Sequence, residues 1–399
     1  MQYNISFSAA DILLPKADFE NWAVIACDQY TSEPEYWQRV KNAAGDKPSA
    51  LDLILPEVCL SDDNSAYIEQ INQNMQKFLD ENIFNEYPDA LIYVERIQSD
   101  SKLRRGLVGK IDLECYDYRA GTNAEIRATE QTVLSRIPPR VEIRKNAPLE
   151  LPHVMLLFDD IKDRIFKYLA ENIDNFKKLY DFTLMCGAGS IKGYLLNTQA
   201  KQTVLSLLQE LKEQNGGFLF CVGDGNHSLA TAKECYNRNP SEASRYALTE
   251  IVNIHDSALQ FEPIYRVVFG IDPESLINDF VKATGEGTGD DAQKFTCVYG
   301  ENVREISVKP TAKLAVGTLQ AFLDDYIKEH EDAEVDYIHG EASLKKLAAR
   351  ENTVGFLFDG MQKSELFAAV NADGSLPRKT FSMGHADDKR FYIEARKIK

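Results

Sequence analysis

The chain has 399 residues, of which 44% are hydrophobic, and this is enough to bury a large core in two domains or in one elaborated domain. Acidic side chains outnumber basic ones by 62 to 45, and the resulting net charge of −17 argues against nucleic acid as the main partner. No apolar run reaches the roughly eighteen residues that a membrane helix needs, and the first residues do not resemble a secretion signal. The seven scattered cysteines form no C-x-x-C pair, so we expect a reduced, cytoplasmic protein without a membrane partner.

Short apolar runs predict strands along the chain, and amphipathic stretches predict helices. The predicted strands are 22–27, 90–96, 105–113, 154–158, 190–196, 218–222, 251–254 and 265–268. The predicted helices are 65–84, 164–179, 203–214 and a helix that starts directly after residue 228. We expect 90–96 to lie beside 105–113, and 251–254 to share a sheet with 265–268. Because strands and helices alternate unevenly, the pattern favours a mixed α/β (α+β) fold over a regular doubly wound sheet.

The domain boundary is predicted from two glycine-containing segments. Residues 284–291 are rich in glycine and acid, which is typical of a linker or of a long hairpin loop inside a small domain. A new helix pattern begins earlier, after Gly270 and Pro273. We therefore predict a core domain over 1–269 and a smaller α+β domain over 270–399.

The most informative segment is 218–228, where a predicted buried strand ends in a polar turn and a helix begins at once. Glycine allows a sharp turn and a close approach to a bound group, and Asn and Ser are good helix N-cap residues. The free N–H groups at a helix start bind anions. We therefore predict a phosphate-binding turn that also carries a carboxylate and an imidazole, formed by Gly223, Asp224, Gly225, Asn226, His227 and Ser228. The alternative is an ordinary strand–turn–helix junction with an Asx turn.

A second group of polar residues follows the predicted strand 22–27. Asp28 could act as a general base or as a magnesium ligand, and Gln29, Thr31 and Ser32 could bind the substrate. The alternative is a capping box at the start of a helix, because acidic residues come directly after the Thr-Ser pair.

Basic residues concentrate between 127 and 145, which is unusual in so acidic a chain. The planar guanidinium of arginine suits bidentate contact with phosphate or carboxylate. We predict an anion-binding loop with Arg127, Arg136 and Arg140 on the phosphate and Glu130 on the substrate. The alternative is that each arginine makes an ordinary surface salt bridge.

Other familiar chemistries find no support in the sequence. Residues 186–193 are rich in glycine but lack the G-x-G-x-x-G spacing, and they continue as a strand, so they do not form a dinucleotide-binding turn. Lys192 in this segment could still reach a phosphate. The remaining histidines lack metal-binding spacing, and no G-x-S-x-G elbow is present.

Several segments taken together resemble the microbial family catalogued as domain of unknown function 1015; they are 126–130, 136–140, 223–227, 253–256 and 263–266. The 223–228 turn is also similar to the phosphate-binding box of the ParB/sulfiredoxin superfamily, which usually reads Asp-Gly-His-His-Arg. That superfamily includes the free serine kinases, which phosphorylate the hydroxyl of L-serine with a nucleotide or pyrophosphate.

The resemblance implies a ParB/sulfiredoxin-like core with the phosphate donor at Gly225, Asn226, His227 and Ser228. Asp224 would then act on Mg²⁺ or on the substrate hydroxyl. Asn226 and Ser228 stand where relatives often have histidine and arginine, so an arginine from 127–140 would have to supply the missing cation. Asp28 matches the catalytic acid of the kinases by position only.

We therefore expect a magnesium-dependent phosphotransferase that acts on a small hydroxyl substrate, with L-serine as the best candidate and a nucleotide or pyrophosphate as donor. A phosphoester hydrolase in the same site and a non-catalytic nucleotide-binding regulatory module are the alternatives. The oligomeric state is left open, with a homodimer as one option.

Overall fold

A computed structural model describes residues 3–61, 63–151 and 153–399, and it divides into two compact units. The first unit runs to Leu259 and also includes the C-terminal segment His385–Lys399, whereas the second unit is Gln260–Gly384. The division therefore lies before the predicted boundary at 269/270. Strand pairing explains the difference, because Phe261–Phe269 forms a strand of the second unit's sheet and the C-terminal segment pairs with strands near the N-terminus.

The strands, in chain order, are β1 (Phe7–Ser8), β2 (Ala10–Pro15), β3 (Val24–Ile25), β4 (Phe84–Ala90), β5 (Ile92–Ile97), β6 (Leu103–Asp112), β7 (Tyr116–Asp117), β8 (Ile126–Ala128), β9 (Leu149–Glu150), β10 (Met155–Phe158), β11 (Lys177–Thr183), β12 (Ser190–Leu195), β13 (Phe220–Asp224), β14 (Tyr246–Asn253), β15 (Phe261–Phe269), β16 (Gln293–Tyr299), β17 (Asn302–Val308), β18 (Glu334–His339), β19 (Thr353–Phe358), β20 (Phe381–Met383), β21 (Phe391–Tyr392) and β22 (Arg396–Lys397). The α-helices are α1 (Phe19–Trp22), α2 (Pro34–Ala44), α3 (Ser65–Asp80), α4 (Ile137–Arg144), α5 (Arg164–Glu171), α6 (Thr198–Gln214), α7 (Asn226–Arg238), α8 (Pro273–Thr284), α9 (Ala315–Glu329), α10 (Glu341–Ala348) and α11 (Leu366–Asp373).

One mixed sheet organises the first unit, in the order β11-β12-β5-β6-β14-β10-β13-β8-β7, with β1 paired to β6. Strand β10 runs parallel to β14 and antiparallel to β13, so the predicted mixed α/β class is confirmed. The predicted pairing of β5 with β6 is also confirmed. The second unit has its own sheet, in the order β17-β16-β19-β15-β18 with β20 on β15. The prediction that 251–254 and 265–268 share a sheet is therefore wrong, since apolar alternation identifies a strand but not its partner.

Side chains that alternate along the strands face two separate hydrophobic cores. On β5, Ile92 and Val94 pack into one core, while Tyr93 packs into the other. Helices α5, α6 and α7 cover the Tyr93 face, and α2, α3 and the C-terminal segment cover the opposite face. The sheet is therefore a middle layer, and residues at its strand ends can be reached from the loops.

Several predicted elements differ from the structure at their ends, and two differ more strongly. Within 22–27 only Val24–Ile25 is a strand, and Phe19–Trp22 forms a short helix before it. The predicted helix 164–179 ends at Glu171, because a 3₁₀ turn at Ile173–Asn175 interrupts it and β11 follows.

Buried ion pairs attach the C-terminal segment to the sheet. Arg390 Nε lies 3.0 Å from Glu250 Oε2, and Arg390 Nη2 lies 2.7 Å from Glu394 Oε2. Arg104 Nη2 lies 3.8 Å from Glu250 Oε1. These four side chains are all less than a twentieth exposed, so each charge depends on its partner for compensation.

We predict that Gly106→Ala destabilises the first unit through this ion-pair network. An alanine Cβ would lie 2.2 Å from Glu250 Oε1, so the carboxylate would have to move away from its arginines. We expect a loss of about 1–3 kcal/mol in the free energy of unfolding, measured by urea denaturation. An unchanged unfolding midpoint would contradict this account of the network.

Candidate active site

The 223–228 turn lies at the junction of β13 and α7, as predicted. Gly225 has φ +76°, and a Cβ there would lie 3.0 Å from Val154 Cα. A Cβ on Gly223 would lie 2.8 Å from Leu157 Cγ, so both glycines let the chain pass close to its neighbours. Among the residues that the structure describes, no side chain caps the start of α7, whose N-cap residue is Gly225. The first N–H groups of this helix are thus available to an anion.

Asp224 ends β13 with one carboxylate oxygen satisfied and one without a hydrogen bond. Its Oδ1 accepts a hydrogen bond from the Gly225 N–H at 2.9 Å. Its Oδ2 is buried and has no hydrogen-bond partner in the described part of the chain. The Nζ atom of Lys389 lies 3.4 Å from this oxygen. Asp224 therefore keeps an oxygen that can take a further ligand.

Asp28 lies after β3, with a partner at each carboxylate oxygen. Gln29 Nε2 donates to Oδ1 at 3.0 Å, and His153 Nε2 lies 3.6 Å from Oδ2. Burial by itself would raise the pKa of Asp28, but the interaction with His153, the bond from Gln29 and the charge of Lys389 lower it below its usual value. The carboxyl is therefore ionised at neutral pH, and 30% of the Asp28 side chain is exposed.

His153 connects Asp28 to the C-terminal segment and to the 223–228 turn. Its Nδ1 lies 2.7 Å from the hydroxyl of Tyr392, and that hydroxyl accepts a hydrogen bond from the Cys27 N–H at 3.2 Å. Its Cδ2 lies 3.4 Å from the position of a Cβ on Gly225. Burial raises the pKa of Tyr392 well above its usual value, so the phenol stays neutral.

His227, in the first turn of α7, is a neutral imidazole. Its Nε2 accepts a hydrogen bond from the Val133 N–H at 3.2 Å, so the proton is on Nδ1. Burial, followed by the positive charges of Arg140 and Arg136, lowers the pKa of His227 to about 4. The same charges make this side of the turn favourable for an anion.

We predict that His227 makes stability depend on pH. The pKa is about 4 in the folded protein and 6.5 without the protein environment, so the unfolded state takes up a proton first. The contribution of His227 to the free energy of unfolding is complete above pH 6.5 and is lost as the pH falls towards about 4. Urea unfolding on both sides of this window should show a larger acid loss in the wild type than in His227→Asn. Equal losses would contradict the lowered pKa.

The structure separates the predicted arginines and lysine into near and remote groups. Arg136 and Arg140 lie close enough to His227 to lower its pKa, and Arg140 also pairs with Glu57. Arg127 lies over the Phe218 ring at 4.0 Å, which is at the other end of β13 from the turn. Lys192 is on β12, with four strands of the sheet between β12 and β13. Arg127 and Lys192 are thus not brought to the turn.

The predicted substrate-binding residues also do not all lie beside the 223–228 turn. Asn226 Nδ2 donates to the Glu130 carbonyl at 3.3 Å, which holds the Glu130 backbone beside the turn. Gln29 is committed to Asp28, while Thr31 and Ser32 are exposed on the loop before α2. The alternative of a capping box is not formed, since α2 begins at Pro34 without a side-chain cap. Ser228 lies in the first turn of α7.

Sequence reasoning missed Lys389, His153 and Tyr392. Lys389 and Tyr392 lie far along the chain, and the strand pair β3–β21 brings them to Asp28. Their only signal was that the C-terminal segment carries charged residues beside an apolar run. His153 shows no recognisable spacing to any other candidate.

Over residues 3–61, 63–151 and 153–399, no group of three or more His, Cys, Asp or Glu side chains is arranged to hold a metal ion. In the same residues, no helix combines the length and apolar character needed to cross a bilayer.

Comparison with known proteins identifies the family. The profile described as "Protein of unknown function (DUF1015)" matches residues 8–334, so the chain belongs to this family and the predicted resemblance is confirmed. The chain is similar to the structure of free serine kinase in complex with AMP, at 12% identity and a TM-score of 0.41, over 73% of this chain and 92% of that chain. It is also similar to a hypothetical protein from Pyrococcus furiosus, at 12% identity and a TM-score of 0.38, over 72% and 94%. No curated protein matches the chain.

Proposed function

We propose that the first unit is a small-molecule kinase that transfers a phosphoryl group to a hydroxyl, with free L-serine as the best candidate acceptor. The observation that carries this proposal is the position of Lys389. Its ammonium lies 3.4 Å from the Asp224 carboxylate, and its charge also lowers the pKa of Asp28. Two carboxylates and a cation thus meet at the uncapped start of a helix.

The start of α7 would hold the phosphates of the donor. Its free N–H groups point out of the helix, and helix N-termini favour negative charge. His227 offers a neutral Nδ1–H, and Arg136 and Arg140 add positive charge on the same side. This arrangement suits a nucleotide or pyrophosphate. Arg136 and Arg140 would supply the positive charge that relatives often supply with an arginine at position 228.

The chemical step then requires few protein groups. The acceptor oxygen forms a bond to the terminal phosphorus, the bond from phosphorus to the leaving phosphate breaks, and the hydroxyl proton passes to Asp28. Lys389 would neutralise charge on the migrating group, and positioning together with electrostatics would supply most of the rate enhancement.

Mg²⁺ fits this site through one protein ligand. The ion is usually held by one or two carboxylates together with phosphate oxygens and water. The Oδ2 atom of Asp224 has no hydrogen-bond partner among the described residues, although the Lys389 ammonium lies 3.4 Å away, and this oxygen could serve as that ligand beside a bound phosphate donor. Bound Mg²⁺ would reduce the negative charge of the phosphates.

The test is phosphorus NMR of the purified protein with Mg²⁺, with and without L-serine, in separate samples of ATP, ADP and pyrophosphate. We expect a phosphoserine signal with one donor, and we expect Asp224→Asn to abolish it. Asp181→Asn is the matched control, because Asp181 pairs with Lys178 at the β11 edge of the sheet. Conversion of the donor to orthophosphate in every sample would indicate a hydrolase. Donor binding without any product would overturn the kinase proposal in favour of a binding module.

A further inference from the structure

A buried chain of hydrogen bonds approaches the Asp28 carboxylate from the side away from solvent. It runs from the Cys27 N–H to the Tyr392 hydroxyl, then to His153 Nδ1, and the other ring nitrogen faces Asp28. His153 is 7% exposed and Tyr392 is 2% exposed. The His153 and Tyr392 side chains in this chain are therefore largely shielded from bulk solvent.

The partners of Tyr392 determine which nitrogen of His153 carries a proton. The phenol oxygen already accepts the Cys27 N–H, so its own hydrogen needs an acceptor. His153 Nδ1 lies at 2.7 Å, whereas the nearby Cys27 thiol is a weak acceptor. A buried donor without an acceptor costs free energy, so Nδ1 takes the hydrogen bond as an unprotonated nitrogen. Nε2 then carries the proton and directs it towards Asp28 Oδ2, 3.6 Å away.

This arrangement would fix both oxygens of the proposed base. Gln29 donates to Oδ1, and His153 Nε2–H faces Oδ2, so rotation of the carboxylate away from the turn is opposed from both sides. The His153 ring also packs against Gly225, which ties the orientation of Asp28 to the helix start that would hold the donor. Besides His153, the titratable groups that interact electrostatically with Asp28 include Lys389, His227, Cys27 and Tyr392.

The strand pair β3–β21 holds Tyr392 in place. Tyr392 pairs with Val24 and Phe391 with Ile25, and the chain then leads from β3 to Cys27 and Asp28. The hydroxyl of Tyr392 is thus positioned by backbone hydrogen bonds and not by the substrate.

We propose that His153 and Tyr392 are positioning residues for phosphoryl transfer, with Tyr392 selecting the Nε2–H form of His153 and His153 orienting Asp28 towards the acceptor hydroxyl. This inference rests on the proposed function for its kinetic consequence. The hydrogen-bond chain itself does not depend on that function.

The kinetic test compares Tyr392→Phe with Tyr236→Phe, whose hydroxyl bonds Glu114 on the surface. We expect Tyr392→Phe to lower kcat roughly 10- to 100-fold, with little change in the KM of the donor, as for other groups that orient a reacting residue. Tyr236→Phe should behave as wild type. Circular dichroism melting of both variants checks that they fold.

A second pair of variants separates positioning from packing. His153→Gln keeps an N–H donor near the Nε2 position and should retain more of kcat than His153→Asn, whose amide is too short to reach Asp28. If the ring only filled space, the two variants would lose activity equally. Equal losses would overturn the proposal, as would an unchanged kcat in Tyr392→Phe.

Nitrogen NMR of the histidine side chains gives a readout that does not require activity. We expect the His153 ring to carry its proton on Nε2 and to have an unprotonated Nδ1, and we expect this form to lose its preference in Tyr392→Phe. A proton on Nδ1 would overturn the inference. If the wild type transfers no phosphoryl group, the proposed function fails, and the NMR result alone decides whether the hydrogen-bond chain exists.

Discussion

Replacement of Asp28 by asparagine is expected to lower kcat for phosphoryl transfer roughly 100- to 10,000-fold, because the amide cannot accept the hydroxyl proton. The substitution keeps the size of the side chain and its contact with Gln29. The KM of the donor should change little, since the donor would lie at the start of α7. Initial rates of phosphoserine formation, measured over a range of acceptor and donor concentrations, provide the test.

The first unit offers a matched control for this variant. Asp159 lies 2.7 Å from His255, so it forms a second carboxylate–imidazole pair, and its side chain is 29% exposed against 30% for Asp28. Asp159→Asn should leave the rates unchanged. If Asp28→Asn retained wild-type kcat while Asp224→Asn did not, Asp224 would be the base, and the roles of the two carboxylates would have to be exchanged.

Replacement of Lys389 by methionine should also lower activity strongly. It keeps most of the apolar stem but removes the ammonium 3.4 Å from Asp224 Oδ2. Loss of a cation that stabilises the migrating phosphoryl group is expected to lower kcat roughly 100- to 1,000-fold. Lys178→Met, which removes a surface lysine paired with Asp181 at 2.8 Å, is the control and should retain activity.

The double variant Lys389→Met with Asp224→Asn shows whether these two residues act together. If they form one catalytic unit, the double variant should lose little more than the worse single variant. Losses that multiply would indicate that Lys389 and Asp224 contribute independently. Full activity in Lys389→Met alone would contradict the proposed function, which rests on the position of Lys389.

Local patterns in the sequence predicted a large part of the fold. The mixed α/β class and the neighbouring strands β5 and β6 are confirmed, and β10, β12 and α6 lie at or near their predicted positions. The 223–228 turn is also found between a buried strand and a helix. These features depend on residues close together in the chain, whose periodicity and turn chemistry are visible in the sequence. The ParB/sulfiredoxin-like character of the core stays a prediction.

Which residues lie near the 223–228 turn depends on strand pairing between segments far apart in the chain, and local sequence patterns do not show this pairing. Arg127 and Lys192 have residue types suited to phosphate, but the sheet places them away from the 223–228 turn. Lys389 and Tyr392 had no recognisable motif and yet contact or neighbour the predicted acids.

The sequence by itself predicted many of the secondary elements, the acidic balance and the strand–turn–helix junction at 223–228. Only the tertiary structure decided which distant charges meet there. Two buried arginines, Arg96 and Arg104, bind backbone carbonyls of residues 387–389, and Arg390 pairs with Glu250 on β14. These contacts bring the C-terminal segment back to the first unit and place Lys389 at Asp224. The physical reason is that a buried charge without a partner costs free energy. Which residue becomes its partner depends on the order of strands in the sheet, not on distance along the chain.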